Sequence, residues 1–179
     1  MRRIEGLAMF LGDDIDTDVI IPGRFLRTLD YNELAQHVLE GISPEASRYA
    51  RNCSILVAGE NFGCGSSREQ APLAIKFAGI QCVVAKSYAR IFYRNAINIG
   101  LLVLEYEGDF ELDDCMDVSV IVDPDNKVMI IEGNEILLKP LPDHAQEIID
   151  HGGLINYYKK KKRDLDPAPA VVTESFDEA

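Results

Sequence analysis

The chain has 179 residues, 47% of them hydrophobic and 27% charged, with a formal net charge of −12. That is enough apolar material for one packed domain and too much for a disordered chain. The negative charge argues against general binding to nucleic acid or acidic membranes, and no segment approaches the ~20 apolar residues of a membrane span.

Met1-Arg2-Arg3 leads into a short apolar run stopped by Gly12 and two aspartates, so no signal peptide is expected. Residues 7–11 read as a first strand, followed by the polar loop Gly12-Asp13-Asp14-Ile15-Asp16-Thr17-Asp18. Val19-Ile20-Ile21 reads as a second short strand, closed by the turn signal Pro22-Gly23. Over residues 31–39, Leu34, Ala35, Val38 and Leu39 recur at helical spacing and Gly41 ends the pattern. Residues 54–58 form a buried-strand pattern that runs into Asn61-Phe62-Gly63-Cys64-Gly65-Ser66-Ser67-Arg68-Glu69. Residues 70–77 are then helical, with Pro72 tolerated in the first turn and Gly79 as the stop.

A second unit of the same kind follows: a strand over 82–85, a helix over 88–97 stopped by Gly100, and a strand over 101–104. Alternation of strand and helix predicts right-handed parallel crossovers. Residues 117–122 and 127–131 read as alternating strands joined by the turn Asp123-Pro124-Asp125-Asn126. A short strand over 135–139 and a helix over 143–149, broken at Gly152-Gly153, complete the pattern. The basic run from 159 to 163 reads as a solvated charge cluster, and 164–179 as a disordered acidic tail. The expectation is one α/β domain over 1–163, part parallel and part antiparallel.

The glycine-rich loop carries the chemistry. Two glycines permit close approach of a ligand, Ser66 and Ser67 offer hydroxyls, and Arg68 brings a planar fork of donors. The helix start predicted after them adds N–H groups suited to a small anion. A P-loop would need Gly-Lys-Ser/Thr, which is absent, and a single capped turn would need only one hydroxyl, with Ser67 as its cap. Cys64 could serve as a thiolate, but that chemistry wants a histidine base, and His37, His144 and His151 lie in no motif-like setting. Four cysteines (53, 64, 82 and 115) with no C-x-x-C pair point to reduced thiols in the cytoplasm and to no metal or cofactor held by this chain alone. Asp13, Asp14, Asp16 and Asp18 lack the glycine and glutamate of a calcium loop, so a role in orienting arginines is the better reading. Arg24 and Arg27, beside a turn, and the loop Lys86-Ser87-Tyr88-Ala89-Arg90 are further donors that could converge with Arg68 at the ends of parallel strands.

Three motifs stand in order along the chain: Asp14-Ile15-Asp16-Thr17-Asp18-Val19-Ile20-Ile21-Pro22, Gly63-Cys64-Gly65-Ser66-Ser67-Arg68-Glu69, and Ala85-Lys86-Ser87-Tyr88-Ala89-Arg90-Ile91-Phe92. Together they resemble the swivel domain of the aconitase superfamily over roughly residues 5–160. More closely the chain is similar to the stand-alone small subunits of 3-isopropylmalate dehydratase and its homoaconitase relatives. The resemblance implies a swivelling β/β/α barrel-like domain and a hydro-lyase that dehydrates and rehydrates a hydroxy-polycarboxylate, in leucine biosynthesis for the isopropylmalate enzyme. It implies a large-subunit partner, in a heterodimer or heterotetramer, that carries a [4Fe-4S] cluster. It also implies roles: Ser66 as alkoxide base, Arg68 as carboxylate clamp, Ser67 as neighbouring donor, and Arg27 in the loop that chooses substrate. Isopropylmalate forms tend to carry an apolar residue at the Arg27 position, so a homoaconitase or a dimethylmalate- or citraconate-type dehydratase stays open. So does a non-catalytic anion-binding module of the same fold.

Overall fold

The computed structural model describes residues 3–109 and 118–165, without the side chains of the last two. The expected tail from 166 onward, and Cys115, lie outside the described residues.

Strands β1 (Ile4–Phe10), β2 (Ile55–Ala58), β3 (Cys82–Ala85) and β4 (Leu102–Glu105) run parallel, and β5 (Ser119–Asp123), β6 (Val128–Ile131) and β7 (Asn134–Leu137) add on antiparallel. Together they form one seven-stranded sheet in the order β4-β3-β2-β1-β5-β6-β7. The sheet curls until its outer strands meet: a bridge joins Tyr106 to Leu138, and the Lys139 N–H donates to the Glu105 carbonyl at 2.7 Å. Curling removes much of the exposed edge that an open sheet would offer.

The parallel strands are apolar on both faces because both are covered. Leu56, Ala58, Val83, Ala85 and Val103 face helices α4 (Gln70–Phe77) and α5 (Arg90–Ile99) in one core. Ile55, Val57, Cys82, Val84, Leu102 and Leu104 face the inside of the curl, against Val120, Val122, Met129 and Ile131. Full burial of each such Leu, Ile or Val side chain contributes about 1.5–3 kcal/mol. Helices α2 (Tyr31–Gln36), α6 (Asp143–Asp150) and α7 (Leu154–Leu165) complete the outer layer, and the basic run lies exposed on α7.

One local expectation fails, and helices α3 (Pro44–Ala50) and α7 lie where the sequence pattern predicts none. Val19, Ile20 and Ile21 do not form a strand; Thr17–Ile20 is a single helical turn, α1. Asp16 caps it, accepting the Asp18 N–H at 2.6 Å, and Ile20 and Ile21 are driven fully into the helix-side core. Capping and burial together outweigh the β propensity of three residues. Helix α3 lies in a stretch that carries no apolar stripe; Ser43 caps it, with Pro44 in its first turn.

Candidate active site

Four loops follow the C-terminal ends of the parallel strands, and hydrogen bonds stitch them side by side. The loop after β2 runs between its neighbours almost as a further strand. On one side Asp13 Oδ1 accepts the Glu60 N–H at 2.7 Å, the Gly63 N–H reaches the Ile15 carbonyl at 2.8 Å, and the Thr17 N–H reaches the Cys64 carbonyl at 2.9 Å. On the other side the Asn61 N–H donates to Ser87 Oγ at 2.8 Å, and the Phe62 and Ala89 N–H groups bond across to the Ser87 and Phe62 carbonyls. The Asn61 side chain, on a residue with φ of 57°, spans back to Asp14 Oδ1 at 2.7 Å. Phe62 anchors the loop, fully buried and edge-on to Phe92 at 5.1 Å.

Both glycines of the motif are forced. Gly63 has φ +78° and a Cβ there would meet the Phe92 ring at 2.2 Å; Gly65 has φ +85° and a Cβ would meet Asp16 Oδ2 at 2.1 Å. Beyond them Ser66 and Ser67 are exposed. Ser67 is not the helix cap: α4 starts at Gln70 with Glu69 at the cap position and no side-chain cap bond. The helix start is thus separated from Ser66, and donors beside the Ser66 hydroxyl must come from the loop itself.

Arg68 folds back so that Nη1 lies in ionic contact with Asp18 Oδ1, and its side chain is only 18% exposed. The contact is not aligned as a hydrogen bond, and the buried Nη1 makes no other among the described residues. This guanidinium holds the Asp18 carboxyl below its ordinary range, with a further contribution from the Gly23 N–H. The expectation that the aspartates orient arginines holds for Asp18. Asp13, Asp14 and Asp16 instead accept N–H groups of the loops.

The other predicted donors divide. Arg24 is occupied by Glu40 at 2.7 Å and lies over the Phe25 ring. Arg27 is exposed just after the 3-10 turn Gly23–Phe25, whose first residue touches Asp18; no ion pair or hydrogen bond joins it to the Ser66 loop among the described residues. Lys86 pairs with Asp109 over a separate 240 Å³ hollow lined by Asp13, Gly59 and Tyr106. The expected convergence of basic side chains on Arg68 is therefore not seen for Arg24, Arg27 or Lys86, and the side chain brought to Arg68 from another loop is Asp18.

Thiolate chemistry is disfavoured. Burial, Asp16 and Asp14 all push the Cys64 pKa up, and burial pushes Cys82 to about 12. The histidines are engaged elsewhere: His37 with Glu40 and the Phe25 ring, His144 and His151 against Tyr157. Among the described residues no three His, Cys, Asp or Glu side chains gather to hold a metal ion. No described helix is long and apolar enough to cross a membrane.

Known proteins match this arrangement. The Aconitase C-terminal domain model covers residues 27–109. A 3-isopropylmalate dehydratase small subunit from Caldanaerobacter subterraneus is 52% identical, over 89% of this chain and 100% of its own length. The chain belongs to the family of 3-isopropylmalate dehydratase small subunits, in the aconitase superfamily. The methanogen homoaconitase small subunit of Methanothermobacter thermautotrophicus is 50% identical, over 88% of this chain and 91% of its own. The crystal structure of 3-isopropylmalate dehydratase from Methanocaldococcus jannaschii superposes with a TM-score of 0.85 at 46% identity, covering 92% of this chain and 98% of that one. The mixed, curled sheet expected from the resemblance is the fold these small subunits share.

Two residues of the site escaped the sequence reading. Thr17 and Ser87 read only as members of two polar loops. Both bond to backbone groups of the β2 loop. Sequence spacing carries no signal for partners 49 and 26 residues apart.

Proposed function

We propose that this chain is the small subunit of a 3-isopropylmalate dehydratase. Its substrate is a small hydroxy-polycarboxylate, worked on together with a large subunit in the cytoplasm. The observation that carries this reading is an exposed Ser66 two residues from an arginine held by Asp18, on a loop that glycines make narrow. On the partner, a [4Fe-4S] cluster would supply Lewis-acid activation of the substrate hydroxyl. This chain supplies the other half. Arg68, with the Ser67 hydroxyl beside it, clamps a substrate carboxylate through a charge-assisted contact. Ser66 Oγ takes the proton from the adjacent carbon as hydroxide leaves, and returns a proton on rehydration. A serine is too weak a base unless its oxyanion is stabilised by donors and positive charge, which the loop N–H groups and Arg68 offer.

A second reading within the class has its own support. Arg24 is consumed by Glu40, while Arg27 is exposed and without an ion-pair partner among the described residues. An exposed arginine in the loop that the resemblance links to substrate choice suits an extra carboxylate, as a homoaconitase substrate has. The relative at 50% identity that is named a homoaconitase small subunit points the same way. Turnover of isopropylmalate, homoaconitate and citraconate by the reconstituted pair decides between them. Turnover of none would favour a non-catalytic anion-binding module.

A further inference from the structure

Thr17 is the nearly fully buried polar residue under the catalytic loop, 1% exposed. It grips that loop twice. Its N–H donates to the Cys64 carbonyl at 2.9 Å and its Oγ1 donates to the Ser66 carbonyl at 3.1 Å, so one residue holds the Cys64–Gly65 peptide and, together with the Arg68 N–H at 2.9 Å, the Ser66–Ser67 peptide. Gly65 itself has a positive φ, and the Asp16 carboxylate occupies the space that a Cβ there would need. In a trans peptide the C=O of one residue and the N–H of the next point in opposite directions, and no cis bond occurs among the described residues. Pulling the Ser66 carbonyl toward Thr17 therefore turns the Ser67 N–H away from the core, toward the exposed side. No backbone carbonyl accepts that N–H among the described residues.

We infer that Thr17 is a positioning residue for the dehydration. By helping the Arg68 N–H hold the Ser66 carbonyl inward, it aims the Ser67 N–H at the space where the Ser66 oxyanion stands ready as base. The inference rests on the reading of Ser66 as the base. It explains why a hydroxyl is buried at a position that an isosteric valine would fill without a polar group, and why α4 can begin three residues too late to supply the donor itself.

The test uses the complete small subunit assembled with its cluster-bearing large subunit, with isopropylmalate as substrate. Thr17→Val keeps the volume and removes the donor. Its kcat falls by about 100-fold, the order of loss from a misplaced reacting group. Its KM stays within about threefold, since ground-state binding by Arg68 is untouched. Thr17→Ser restores kcat to within about threefold, because the hydroxyl returns. Subunit affinity and the melting temperature of the free small subunit report any purely structural effect. A Thr17→Val kcat near the wild-type value, or a loss that Thr17→Ser does not recover, overturns the inference. If Thr17→Val does not fold, Thr17→Cys, with its weak donor, should show the same split with about a tenfold loss of kcat, and full activity there overturns it equally. Ser66→Ala, run alongside, separates the two ideas: an active Ser66→Ala removes the base, whereas an inactive one beside an active Thr17→Val removes only the positioning role.

Discussion

The two halves of the sheet are built by opposite strategies. At the antiparallel half the β5–β6 turn bonds largely within itself: Asp123 accepts both the backbone and side-chain N–H groups of Asn126, three residues away. At the parallel end the loops depend on one another, through Asp13 with Glu60, Asn61 with Asp14 and Ser87, and Thr17 with Cys64 and Ser66. Self-contained turns serve stability alone. Cross-braced loops hold exposed polar groups in fixed relation, which is what a site for an anion requires. The proposed chemistry lies at the cross-braced end, and the antiparallel half closes the curl through Tyr106 with Leu138.

That contrast breaks most easily at Arg68. Arg68→Ala should lower kcat/KM of the assembled enzyme by about a thousandfold or more, through loss of the carboxylate clamp, with only the small fall in melting temperature that loss of the Asp18 pair brings. A comparable loss of melting temperature instead would make Arg68 a structural residue. Phe62→Ala attacks the anchor beneath the same loop. A fully buried ring removed from the Phe92 and Tyr88 cluster should cost about 3–5 kcal/mol in urea unfolding.

Asp18→Asn should act more gently. It leaves Arg68 in place but unheld, raising KM by about tenfold in steady-state assays. Because the folded-state pKa of Asp18 is depressed by Arg68, its stabilising contribution is present above the unfolded carboxyl value of about 4 and fades as pH falls through the folded value. The wild type should therefore lose more melting temperature than Asp18→Asn on acidification below about pH 4. An identical acid profile for both would mean that the ion pair contributes nothing in solution. The smallest effect belongs to the other half: Asn126→Ala should cost about 0.5–1.5 kcal/mol by thermal unfolding and leave turnover intact. A turnover defect there would dissolve the division between the halves.

Most of this architecture was legible along the chain because it is locally encoded. Residues 70–77 form α4 within the bounds that the periodicity and Gly79 set, and the buried runs at 55–58 and 82–85 are the central parallel strands. What was not legible depends on distant partners. The 19–21 run reads as a strand until Asp16 caps it and the helix-side core claims Ile20 and Ile21. The helix N-terminus reads as directly adjoining the two serines until the loop is seen to continue to Glu69. Arg24 and Arg27 look equivalent in the sequence, and only the folded chain pairs one with Glu40 and leaves the other exposed. The separation of Lys86 from the Ser66 loop follows from Asp109, 23 residues later.

The central claim is that Ser66 is the base on a half-site completed by the partner. It is tested most directly by measuring kcat of the reconstituted two-subunit enzyme carrying Ser66→Ala, with isopropylmalate and with homoaconitate, alongside the affinity of the two subunits. The account predicts a fall of about a thousandfold or more on whichever substrate the wild type turns over, with unchanged assembly. A variant that assembles and still turns over that substrate at near the wild-type rate would contradict it.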